Sequence, residues 1–234
     1  MNTKRRLARI AGLWYLLMAA TGPIGIVYAP SKVRVAGDAA ATAAALLAHD
    51  TLARIGVAAS VICQIIFVFL VLALQRLFDG VDDELSRLMH GIVIAAVPIA
   101  IANELLVLGA LELVGGAGGG IAASERDSLA LSLLNVHELG VSFVCGVFWG
   151  LWLFPFGMLA IRSRYIPKVL GLLLIVGGCT YLVDAALCLA APAIRASLTG
   201  VLMIPLAVGE LSMVVWLVVK GVRGTDAIPP QMSS

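Results

Sequence analysis

Six long apolar runs set the terms for everything else in this chain: Leu7 to Ala29, Leu52 to Leu74, Leu88 to Leu111, Leu129 to Ile161, Val169 to Ala191 and Leu198 to Val219. About 20 apolar residues in a helix cover a hydrocarbon core of about 30 Å, so each run can cross a bilayer once. Composition agrees: 61% of the 234 residues are hydrophobic and only 13% charged, and the mean hydropathy is +1.04. No water-soluble domain of this length could place such a composition on its surface. The expectation is therefore an all-α polytopic membrane protein, a bundle of six transmembrane helices in one membrane domain over residues 1–223, with no soluble appendage. Residues 224–234 (GTDAIPPQMSS after Arg223) are polar and proline-bearing, which predicts a disordered cytoplasmic tail.

The first run follows Lys4, Arg5 and Arg6 and ends at Val27-Tyr28-Ala29, which imitates a secretory signal with a small-residue cleavage site. Its length and the spans that follow predict retention as a membrane helix. With the N-terminus inside, the cytoplasmic ends hold Lys4, Arg5, Arg6, Arg9, Arg76, Arg87, Arg162, Arg164, Lys168, Lys220 and Arg223. The outer ends hold Lys32, Arg34, Arg54, Arg126 and Arg195. That asymmetry predicts both termini in the cytoplasm, as a multi-pass protein of a bacterial cytoplasmic membrane. The net charge of +2 reports topology and gives no hint of nucleic acid, while the apolar spans make the lipid bilayer the expected partner. Cys63, Cys145, Cys179 and Cys188 all fall within spans, without C-x-x-C or Cys/His metal spacing, and read as small apolar residues in helix contacts.

Between the first two spans, GDAAATAAALLAHD predicts a short outer-surface helix over about residues 38–49, capped by Asp38. Asp50 or Thr51 is expected to cap the second span. GGAGGG at Gly115 to Gly120 reads as a slack joint, and SERD from Ser124 as a helix start supported by Asp127. Pro155 should kink the long fourth span. Gly146 and Gly150 form a small-xxx-small pair suited to close helix approach, within the bundle or in a homo-oligomer.

Against this background the ionisable residues in mid-span stand out, because each costs roughly 2.5 to 3.5 kcal/mol in a bilayer on insertion scales. Glu104, Glu138, Asp184 and Glu210 are such residues, with His137 beside Glu138. At a rise of about 1.5 Å per residue, Glu104 and Asp184 lie about 20 Å and 22 Å from the inner boundary, and Glu138 about 13 Å below the outer one. Three helices thus bring polar groups to nearly one level, with Glu210 and Gln64 deeper. Gly56, Ser60 and Gln64 share one helix face, and Gly177, Tyr181, Asp184 and Cys188 another. Glu138, Ser142, Cys145 and Trp149 form a third stripe. His137 and Glu138 point about 100° apart, so one should face into the bundle and the other towards a neighbouring helix. Asn103, next to Glu104, belongs to the same polar set, and Arg54, about one turn below the outer boundary, is expected to snorkel outwards.

Four acids set against one imidazole and no deep Lys or Arg must hold protons, share them or bind a cation. Several functions satisfy that demand. The acids could join helices in a non-catalytic structural or assembly protein. They could serve a small permease or ligand-binding protein in which Glu104, Glu138 and Asp184 exchange protons or cations with a small-molecule or cation ligand. There His137 contributes the side-chain type whose charge changes between about pH 5 and 8. They could also ligate a metal, with His137, in a membrane-embedded hydrolase, though a lone histidine speaks against zinc and the chain leans away from an enzyme. The sequence names no cofactor, since His49, His90 and His137 offer no axial pair for haem.

The stretch GDAAATAAALLAHDTLARIG, the His137 segment with Gly140, Gly146 and Phe148-Trp149-Gly150, and RSRYIPKVLGLLLIVGG running on to Tyr181-Leu182-Val183-Asp184 together resemble the bacterial membrane family catalogued as domain of unknown function 4386. The likeness covers nearly the whole chain and is most specific between His137 and Asp184. It implies a six-helix integral membrane group without an established activity. His137 and Asp184 fall on the family-like pattern, whereas Glu138 and Glu210 are not matched to it.

Overall fold

The computed structural model describes residues 3–117 and 119–222, and every regular element among them is helical. Six helices are long and apolar enough to cross a membrane: α1 (Thr3–Val33), α3 (Asp50–Leu77), α4 (Asp83–Gly116), α5 (Ala123–Ser163), α6 (Lys168–Ala190) and α7 (Pro192–Lys220). A shorter helix, α2 (Ala39–Ala48), lies between the first two. The tail expected over residues 224–234, and Arg223 with it, lies outside the described residues.

Both described ends of the chain meet at one face. A Cβ on Gly12 would fall 2.7 Å from the Val218 backbone nitrogen, and Gly221 lies beside Arg5. Here Lys4 Nζ donates to the Leu77 and Asp79 carbonyls at 2.8 and 2.9 Å, closing the C-terminus of α3. Tyr165 donates to the same Leu77 carbonyl at 2.8 Å, and burial pushes its hydroxyl pKa up, which keeps it a donor. Asp82 caps α4 by accepting the Leu85 N–H at 3.0 Å and pairs with Arg162. The backbone hydrogen bond, aided by Arg162, holds its carboxyl below the usual carboxylate range. We call this the terminal face and its opposite the distal face.

The main apolar core fills the terminal side and the middle of the bundle. Leu70, Leu74, Leu77, Phe78, Leu153, Phe156 and Leu159 are fully enclosed there, and Trp152 stacks on Phe156 with ring centroids 5.3 Å apart. A second, smaller core lies at the distal end, where Leu46 of α2 meets Val33, Ala53, Val107, Ala110, Leu111, Ala130 and Leu134. Its position follows from helix length. α5 has 41 residues, about 60 Å at 1.5 Å per residue, twice the thickness of a hydrocarbon core. Its first turns therefore extend beyond the apolar run that begins at Leu129, and α2 covers them.

Glycines set the closest approach. The Gly150 carbonyl of α5 would lie 2.9 Å from a Cβ on Gly178 of α6, and the Gly157 and Gly171 carbonyls would lie 2.5 to 2.6 Å from a Cβ on the facing glycine. Gly150 thus serves packing within the bundle, as small residues do where lipid provides no hydrophobic drive.

Several local expectations are corrected. The N-cap of α3 is His49 without a side-chain bond, because Asp50 is held by Arg54 one turn on at 3.1 Å. α5 starts from Ala122, also without a side-chain cap, while Ser124 offers its carbonyl to Ser128. Asp38 does cap α2, accepting the Ala41 N–H at 2.9 Å. In α5 the irregular hydrogen bonding falls at Gly140–Cys145, a π turn upstream of Pro155, which sits in continuous α-helix over Gly146–Ser163. The extra residue of a π turn leaves no periodicity in an all-apolar run, so sequence could not place it.

Candidate functional site

The distal ends of α1, α3, α4 and α5 enclose a cavity of about 30 Å³ lined by Gly25, Arg34, Gly56, Glu104, His137 and Glu138, among others. That volume admits about two waters. Three irregularities in the helices border it, one of them a π turn of α1 at Ile24–Tyr28 that carries Gly25. α4 is interrupted at Glu104, whose N–H turns back to the Ile101 carbonyl at 3.2 Å, and the π turn of α5 begins just after His137. Asn103 ties the two together, its Nδ2 donating to the His137 carbonyl at 2.9 Å. A Cβ on Gly140 would lie 2.1 Å from Asn103 Oδ1, so only glycine lets Asn103 reach that carbonyl.

Glu104 and His137 are 8% and 7% exposed, with Oε1 and Nε2 3.4 Å apart. Arg34, from the segment after α1, pairs with Glu138 Oε2 at 2.8 Å on the more exposed side of the cavity and reaches Asn135 Oδ1 at 3.4 Å. Although their side chains leave α5 in different directions, His137 and Glu138 line the same cavity, because Arg34 folds back over Glu138 and makes a wall of it.

The other acids lie elsewhere. Asp184 of α6 takes a two-pronged hydrogen bond from Arg195 of α7, Nε and Nη2 each 2.9 Å from its oxygens, and Nη2 also donates to Ser142 Oγ at 3.0 Å. Glu210 accepts a 2.7 Å hydrogen bond from the Tyr15 hydroxyl, and Tyr181 of α6, packed on Trp149, also faces that carboxyl. Gln64 is buried with Oε1 unpartnered among the described residues. Arg54 is exposed, between Asp50 and Glu112 at 3.1 and 3.6 Å.

The expectation of acids without basic counterparts is therefore corrected. Asp184 and Glu138 each have an arginine, Glu104 has the imidazole, and only Glu104, His137 and Glu138 share a cavity. Arg34, Arg195 and Tyr15 were missed as partners because the first two count as outer-end charges and the third as an aromatic. The signal for Arg195 is Pro192, which starts α7. It puts Arg195 one turn into the helix, where a long side chain can reach back across the hairpin to Asp184. Among the described residues no three His, Cys, Asp or Glu side chains gather where a metal could sit.

Six apolar helices around two cores define a polytopic α-helical membrane protein. Residues 10–221 match the family described as "Domain of unknown function (DUF4386)", and the chain belongs to that family. No curated protein and no solved structure matches it.

Proposed function

We propose that the protein is a small proton-linked permease or ligand-binding protein of the bacterial cytoplasmic membrane, with the Glu104–His137 couple as its proton-handling site. The observation that carries this reading is a buried carboxyl facing a buried imidazole inside a cavity that Arg34 and Glu138 also line. A proton that enters the cavity can be held between the carboxylate and the imidazole, which stand 3.4 Å apart. The cavity's size suits water, a proton or a small cation. A larger solute would need Arg34 and Glu138 to part, and an ion pair at that exposure holds loosely enough to do so. The positive-inside count supports a cytoplasmic terminal face, with the cavity opening towards the outside.

The test is proton flux into liposomes holding the purified chain and a pH-sensitive dye, under an imposed pH gradient. Glu104→Gln and His137→Gln should each lower flux at least tenfold while leaving the protein folded. Flux equal to wild type in both variants overturns the reading. A lowered melting temperature with unchanged flux would favour the structural alternative instead.

A further inference from the structure

Beyond the distal cavity, the bundle holds polar side chains that no ion pair uses. Ser60 and Gln64 stand one turn apart on the buried face of α3, each 4% exposed, and Ser60 Oγ and Gln64 Oε1 have no hydrogen-bond partner among the described residues. Ser60 lies one turn beyond Gly56, which lines the cavity, and packs on Gly25, another lining residue, where a Cβ would fall 2.2 Å from Ser60 Oγ. Gln64 continues that face by one turn, about 6 Å, towards the terminal side. Its neighbour Cys63 meets α1 at the Met18 carbonyl, 3.8 Å away. One turn further along α1, Tyr15 donates to Glu210. The titratable groups facing that carboxyl are Tyr15 of α1, Cys63 of α3 and Tyr181 of α6, and no cation pairs with it among the described residues.

Buried oxygens on adjacent turns, unpaired within the protein, are what a short file of water requires, since each can take a hydrogen bond from a molecule that passes another on. We propose that Glu210 is a second, deeper proton site, linked to the distal cavity by water held along Ser60 and Gln64. The proposal rests on the reading of Glu104 and His137 as the entry site. A proton entering at the cavity shifts along the file, each oxygen gaining one and releasing one, and ends on the Glu210 carboxylate as a neutral carboxyl. Ser60 relays through its hydroxyl, whereas Gln64 orients water through its carbonyl oxygen. Tyr15 steadies the charged form by donating to it.

The experiment is infrared difference spectroscopy of the full chain in lipid vesicles. The carbonyl stretch of Glu210 is assigned by its loss in Glu210→Gln, and its rate of shift on transfer to D2O is followed. Gln64→Leu and Ser60→Ala should each slow that exchange at least tenfold, and Gln64→Asn, which keeps a carbonyl oxygen without adding a carboxyl, should stay nearer the wild-type rate. Exchange in Gln64→Leu and Ser60→Ala as fast as in wild type overturns the link, as does the absence of any protonated Glu210 band between pH 4 and 9. Should Glu210→Gln fail to fold, Tyr15→Phe assigns the band by shifting its frequency. Proton flux in Glu104→Gln is read separately. Normal flux there with slowed exchange in Gln64→Leu defeats the entry-site reading, while lost flux with unaltered exchange in Gln64→Leu defeats only the deeper site.

Discussion

Adding one methyl group at Gly157 should cost more than its size suggests. In α5 a Cβ at that position would lie 2.6 Å from the Gly171 carbonyl of α6, and ordinary contact begins near 3.4 Å. Backbone cannot swing aside as a side chain can, so the two helices must separate by about 0.8 Å at the crossing. The Gly150–Gly178 approach, 2.9 to 3.0 Å by the same measure, loosens with it. Overpacking of this kind costs about 1 to 3 kcal/mol, and the gain in helix propensity from glycine to alanine returns about 1 kcal/mol. The net is a loss of up to about 2 kcal/mol, or a melting temperature lower by up to about 8 °C for a chain of this size; against a glycine-to-alanine change with no clash the loss is the full cost of about 1 to 3 kcal/mol. Thermal unfolding of Gly157→Ala in detergent micelles measures it, against Gly91→Ala, where a Cβ meets nothing within 4 Å. The double variant Gly157→Ala/Gly171→Ala should lose less than the sum of the singles, because one separation accommodates both methyls. If Gly157→Ala melts with Gly91→Ala, the close crossing of α5 and α6 is not what holds them.

Other outcomes follow from the same contacts. Arg195→Met strands the Asp184 carboxylate and should destabilise by about 3 kcal/mol, while Asp184→Leu/Arg195→Met should recover most of it, as measured by unfolding in mixed micelles. Gly140→Ala forces Asn103 off the His137 carbonyl, so it should lower both stability, by about 1 to 3 kcal/mol, and proton flux; adding Asn103→Ala should restore the stability but not the flux. Asp82 has its folded pKa depressed, so its contribution is present above the ordinary carboxylate value of about 4 and is lost as pH falls below it. Melting temperature followed from pH 6 to pH 3 should therefore drop more steeply in the wild type than in Asp82→Asn. A parallel pair of curves would remove Asp82 from the account.

Much of the architecture was legible because the signals are sums over local residues. Five of the six apolar runs fall within long helices and the run from Val169 overruns α6 by one residue, Ala191, and Asp38 marks the start of α2 as a short polar side chain at a helix N-terminus does. The buried face of Gly56, Ser60 and Gln64 was also readable, since spacing by four residues puts them in line on any helix. The helix ends were less so. Asp50 has the right chemistry for a cap, but Arg54 one turn on competes for it, and sequence cannot weigh the two. The candidate site was half visible. Its acids and His137 stand out against apolar surroundings, whereas Arg34 looked like an ordinary loop charge and the π turn left no trace.

The hydrocarbon requirement alone determined that this chain becomes a bundle of membrane-crossing helices, because covering a fixed thickness depends on run length and on nothing distant in the chain. Which acid meets which base was decided only in three dimensions. Arg34 and Glu138 are 104 positions apart in sequence, and Tyr15 and Glu210 are 195. Pairings at that range depend on helix rotation and on how closely glycines let backbones approach. A difference of one helical turn would have sent each charge to a different neighbour.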